Sequence, residues 1–240
     1  MSIQVPQLSE PGRSTGTLSA IPDDPFTAAL RGFGPLGILA ILLILFGNVV
    51  FVPFSAVLVL VWARWSRTPL SKLGFVRPGN WFVSLAIGIA FGIAFKFLMK
   101  VLVMPLLGAD PVNHAYHYLE GNRAAIPGTL YALIVGAGFG EEALFRGYMF
   151  ERLGKLLGAG IGAKIVIVLI TSTLFGFAHY SVQGLAGVEQ ATIVGLVLGG
   201  IFALTGRIWL LMFAHAAFDL TAYAIIYCGL ETRVAHLIFK

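Results

Sequence analysis

From residue 35 onward the chain is a succession of long apolar runs separated by short polar segments. No other feature restricts its fold as much. A bilayer core of about 30 Å is crossed by roughly 20 apolar residues as a helix. Inside it no water pairs with free backbone N–H and C=O groups, so only helices and closed barrels are viable. The runs lie at 35–63, 81–107, 125–157, 165–180, 187–205 and 208–227, and none shows strand-like alternation bounded by turns. The expected fold class is therefore all-α, a polytopic transmembrane helical bundle of about six to eight spans. Composition agrees: 58% of the residues are hydrophobic and 11% charged, against about 25% charged in soluble domains. The run at 35–63 fits one tilted span or two short ones, with Gly47, Asn48 and Pro53 as candidate breaks.

Residues 1–25 are polar and lack the pattern of a signal peptide, which predicts a flexible tail before one transmembrane domain at 26–240. A single cysteine, Cys228, excludes an intramolecular disulfide framework. The net charge of +5 comes from short loops, not from a basic patch interleaved with aromatics, and no nucleic-acid partner is expected. The segment 64–80 carries Arg64, Arg67, Lys72 and Arg77 without an acid. Arg152, Lys155 and Lys164 face Glu151 alone, and Arg207 stands between the last two runs. These basic sites are two spans apart, so all can lie in the cytoplasm together. The loop 108–124 is acidic by comparison. Trp62, Trp65 and Trp81 flank the first basic loop, as interfacial anchors do.

Ionisable residues inside spans are costly and mark function. Here they are Glu141, Glu142 and Arg146 in "GEEALFRG", His179 in "FGFAH", and His215 with Asp219 in "HAAFD". A helical rise of about 1.5 Å per residue puts Glu141 about 15–20 Å from the nearest basic end. The same count puts His179 about 22 Å in, and His215 and Asp219 about 12 and 18 Å in. Three helices thus deliver polar groups to one depth. Glu142 and Arg146 are about 40° apart on an α-helix and can pair, whereas Glu141 lies about 140° from Arg146. Glu141 is left over, which suits a general base. Lys96 and Lys100 share a face and either snorkel or line a cavity. His114 and His117 belong to a solvated loop. Gly88 with Gly92, and Gly195 with Gly199, are spaced for close helix packing. The chain has no HExxH and no GxSxG, so zincin and serine-hydrolase chemistry are unsupported. The remaining Glu, His and His/Asp groups can activate water directly or hold one metal that does.

The three motifs, in this order and each in its own apolar run, resemble those of the CPBP family of CAAX proteases and bacteriocin-processing membrane proteins, also called Abi. The match covers residues 125–228. The resemblance implies an intramembrane endopeptidase, in metalloprotease terms, cutting a membrane-associated protein or peptide. It is expected in a bacterial inner membrane, with its site opening toward the cytoplasm. It assigns water activation to Glu141 with His179, and oxyanion or metal binding to His215 and Asp219, with Glu142, Arg146 and Phe175 in support. A bound metal, zinc first, would take Glu141, His179, His215 and Asp219. Asp219 stands where some members carry Asn, which favours the metal over the metal-free alternative because aspartate is the better ligand. A non-catalytic scaffold or immunity protein of the same fold is the rival reading. A proton-relaying transporter is less supported, because the chain has no internal repeat.

Overall fold

The computed structural model describes residues 24–239. The expected tail at 1–25 lies outside them up to residue 23, and its last two residues, Asp24 and Pro25, instead cap and begin the first helix. Among the described residues all regular structure is helical. Helix α1 (Pro25–Arg31) is capped by Asp24, whose carboxylate accepts from the Thr27 N–H at 2.9 Å. It meets α2 (Pro35–Val50) at a 54° bend. Helix α3 (Val52–Trp65) follows. Then come α4 (Trp81–Leu106), α5 (Arg123–Leu157), α6 (Ile161–Ala178), α7 (Tyr180–Thr205) and α8 (Trp209–Tyr227), each long and apolar enough to span a membrane. A short α9 (Glu231–Ala235) closes the described chain. With α1 and α2 taken as one broken span the long candidates become six, and the 14-residue α3 stands beside them.

The ambiguous run at 35–63 is two helices. Phe51 is extended, at φ −165° and ψ 113°, and Pro53 sits in the first turn of α3, where its missing N–H costs nothing. Gly47 is not the break. A Cβ there would lie 2.9 Å from Leu58, so Gly47 is where α2 and α3 pack.

The bundle has two distinguishable ends. At the basic end, Ile208 N–H donates to the Gly74 carbonyl at 3.0 Å, which ties the start of α8 to the loop after α3. There Arg152 donates to the carbonyls of Arg31 and Gly32 at 2.8 and 2.6 Å, so it closes the C-terminus of α1. At the other end, Gly121 N–H donates to Tyr227 C=O at 3.1 Å, joining the loop 107–122 to the end of α8. Trp62 departs from the anchoring role expected of it. Its side chain is 3% exposed and donates to Leu30 C=O at 3.1 Å, a partner that lets the indole sit in the core. Trp65 and Trp81, at 59% and 40% exposed, are free to meet an interface.

Small residues set the closest approaches. A Cβ on Gly92 would collide with the Ala214 carbonyl, and one on Gly88 would lie 2.7 Å from Phe213. These glycines seat α4 directly on α8, the helix that carries His215. Gly195 does the same for α7 against Ser172 of α6, while Gly199 makes only ordinary contact. Gly92→Val should therefore lose about 1–3 kcal/mol by overpacking, read as a melting temperature lower by several degrees in detergent. Gly200→Ala, where nothing lies within 4 Å, should not lower it.

Candidate active site

Helix α5 widens where its motif begins. Residues Ala132–Glu141 and Ala143–Tyr148 adopt the π form, with i→i+5 hydrogen bonds, between α-helical ends. Such widening is frequent at functional sites. The alternating Gly136, Gly138 and Gly140 give it room. A Cβ on Gly138 would lie 2.8 Å from Ala216 of α8, and one on Gly140 would lie 3.1 Å from Val52 of α3.

The two glutamates are unequal. Glu142 is 0% exposed and Arg146 1%. Arg146 Nη1 donates to Glu142 Oε1 at 2.8 Å. His215 Nδ1 donates to the same oxygen at 2.7 Å. The sequence offered the first partner by spacing, but not the second, which arrives from another helix. Because a carboxylate only accepts, Glu142 fixes the proton on Nδ1 of His215 and turns Nε2 outward. That Nε2 lies 3.7 Å from Glu141 Oε2 and 3.6 Å from Asp219 Oδ2. A hydrogen bond from His215 to Asp219 within α8 is thus not formed. His179 caps the end of α6, and its Nδ1 donates to Phe175 C=O at 2.8 Å. Its Nε2 is left free in the same way.

Phe175 holds these groups apart and in register. Its ring packs edge-on against Phe145 at 5.0 Å, His179 at 4.8 Å and His215 at 5.8 Å. The Arg146 guanidinium lies over its face at 4.8 Å, a favourable cation–π placement.

Glu141, Phe175, His179, His215 and Asp219 all line one cavity of about 480 Å³, whereas Glu142 and Arg146 do not reach it. Glu141 Oε2 is buried and has no protein hydrogen-bond partner. The structure thus brings together every residue that the motifs singled out, and separates the cavity-lining ones from those behind. It adds others. Lys96 of α4 lines this cavity and an adjoining one of about 560 Å³. It donates to Gln190 Oε1 at 3.0 Å and lies 4.8 Å over the Phe218 ring. It lines the cavity, not a snorkelling route. Tyr223, one turn beyond Asp219 on α8, also lines the cavity, with a buried hydroxyl that has no partner. Its i+4 spacing from Asp219 was a readable signal that an apolar background concealed. His114 and His117 pair with Asp110 and Glu120, at 3.2 and 3.4 Å, and stand in the outer loop.

Among the described residues, no three His, Cys, Asp or Glu side chains are arranged to hold a metal ion. Both imidazole Nδ1 atoms are engaged, so Nε2 is the ring nitrogen each histidine has left for the cavity; no step below passes through a metal.

The cavity mouth lies at the acidic end. Its exposed lining residues are Phe51, Tyr118, Gly128, Tyr131 and Ala132. Toward the basic end the site is closed by buried Leu144, Phe145, Tyr148, Leu211 and Met212. The sequence reading put both the basic loops and the mouth in the cytoplasm. The two lie at opposite ends of the bundle, so only one of those expectations can hold.

Residues 123–221 match the sequence model of a protein family described as Type II CAAX prenyl endopeptidase Rce1-like. The matched segment contains all three motifs, so the resemblance to CAAX proteases holds for this part of the chain. No curated protein and no solved structure matches the chain.

Removing Arg146 strands a buried carboxylate. Arg146→Met should cost about 3–5 kcal/mol, measured by thermal unfolding in detergent, and Arg146→Met with Glu142→Gln should recover part of that loss.

Proposed function

We propose that this membrane bundle is an endopeptidase that hydrolyses a peptide bond of a membrane-associated protein or peptide with a metal-free, glutamate-activated water. One observation carries the reading. Glu141 presents an unpartnered carboxylate oxygen to a cavity of about 480 Å³, while the adjacent Glu142 is wholly committed to Arg146 and His215.

In this scheme Glu141 is the general base and His179 Nε2 holds the water beside it. The water oxygen attacks the scissile carbonyl carbon, and its proton passes to Glu141. The carbonyl oxygen takes up negative charge and accepts from Nε2 of a doubly protonated His215, which keeps its Nδ1 proton on Glu142, with Asp219 orienting that imidazole from 3.6 Å. Glu141 then returns the proton to the departing amide nitrogen as the C–N bond breaks. The products are a carboxylate and an amine. Glu142 and Arg146 are positioning residues: they set the His215 tautomer and touch no substrate. Arg146 donates to Glu142 at 2.8 Å and Lys96 lines the same cavity as Glu141 and Asp219, so the protein brings cations of its own to these carboxylates. The matched family's description names CAAX prenyl substrates, and a lipid-modified peptide is the first class to try.

Glu141→Gln should abolish cleavage, by at least about 100-fold, since a positioned base contributes about 10²–10⁴. The protein should accumulate in membranes as wild type does. Comparing membrane-peptide cleavage products of the two proteins checks this, and unchanged cleavage returns the chain to the scaffold reading. Chelation with phenanthroline should leave wild-type turnover within about twofold, because no metal supplies the nucleophile.

A further inference from the structure

We propose that the catalytic cavity opens to the non-cytoplasmic side of the membrane and takes peptide substrate from that side. The substrate half rests on the peptidase reading above; the direction of the mouth does not.

The direction follows from the charge at the two ends of the fold. At the closed end lie Arg64, Arg67, Lys72 and Arg77 around the loop after α3. Lys155, Lys164 and Arg207 lie at the other turns of that end. The described acids there are few. Glu151 is held by Lys155 at 2.6 Å, and Asp24 pairs with Arg67 at 3.4 Å. At the open end Arg123, Arg233 and Lys100, the last paired with Glu231 at 3.5 Å, are matched by Asp110, Glu120 and Glu231, so that end holds far fewer Lys and Arg than the closed one. The Val112 N–H, and then His114, hold the Asp110 carboxyl below the usual carboxylate range, so it is ionised at neutral pH. Short loops rich in Lys and Arg stay in the cytoplasm. The closed end is therefore cytoplasmic and the cavity mouth faces away from it.

Packing makes this a statement about access as well as topology. A peptide coming from the basic end meets the buried plug of Leu144, Phe145, Tyr148 and Leu211. Behind the site it also meets the Glu142–Arg146 pair, which has no surface exposure to speak of. From the acidic end it passes the break between α2 and α3 at Phe51, then Tyr118 and Tyr131, and reaches Glu141 and His179. A segment lying in the outer leaflet, or attached to it, meets that side entrance at membrane depth.

The chain's own cysteine supplies the test. Cys228 is free and exposed, just beyond the α8 end that is hydrogen-bonded to the loop 107–122. A membrane-impermeant maleimide applied to spheroplasts of a bacterial expression host should modify Cys228 without permeabilisation. Arg67→Cys in a Cys228→Ser background should react only after permeabilisation. Alkaline phosphatase fused after the last residue should be active, which keeps the answer available if Cys228 reacts slowly. Modification of Arg67→Cys in sealed spheroplasts, protection of Cys228 until permeabilisation, or an inactive fusion would each overturn the proposal. All three measurements are independent of proteolysis and can be repeated in Glu141→Gln. A peptidase facing the cytoplasm and a correctly facing protein without peptidase activity therefore give different results.

Discussion

One carboxylate oxygen, Glu142 Oε1, takes hydrogen bonds from Arg146 at 2.8 Å and His215 at 2.7 Å. The rest of the site depends on this arrangement. Bringing two charges out of water costs several kcal/mol per ion unless hydrogen bonding compensates. Arg146 regains part of that cost from Glu142 and part from the face of Phe175. The second donor crosses from α8 to α5, so the same interaction that neutralises a buried charge also fixes the helices that deliver the cavity's polar groups. It can do so because Gly138 admits α8 against α5, and Gly92 admits α4 against α8.

That arrangement divides a pair of identical neighbours into two tasks. Glu142 spends its charge on structure. Glu141, one residue earlier in a widened helix, keeps an oxygen for the cavity. Both histidines follow the same logic. Each commits Nδ1 to an acceptor, Glu142 in one case and the Phe175 carbonyl in the other. Each thereby presents Nε2. Phe175 touches both rings and the guanidinium, so one aromatic side chain keeps three polar groups at fixed spacing without competing for their hydrogen bonds.

The barrier between the cavity and the basic end is a consequence of the same packing. The motif helix continues past Arg146 into Tyr148 and Met149, which are buried against α3 and the loop after it. Polar chemistry is thus confined to the half of the bundle that opens past Phe51 and Tyr118. Hydropathy cannot reveal which end is open, because the runs on either side of the motifs are equally apolar.

The chain alone determined the helical bundle, since a bilayer leaves long apolar runs almost no other backbone solution. It also determined the identity of the polar set, because charge in such runs is rare enough to stand out one residue at a time. The Glu142–Arg146 pair was legible too: four-residue spacing is a local property of a helix. Contacts between helices were not. The His215–Glu142 bond joins residues 73 apart, and no local period encodes it. Tyr223 and Lys96 carry no motif; spacing could put Tyr223 on the face of Asp219 and leave Lys96 two readings, and the packing of α4 and α8 brings both to the cavity. Gly47, Asn48 and Pro53 were equally good breakers by composition, and the structure puts the break at Phe51, just before Pro53, with Gly47 at the α2–α3 contact. The direction of the mouth likewise waited for the tertiary structure. Sequence spacing measures depth along each helix, and only side-by-side packing decides which end of the bundle is filled and which stays open.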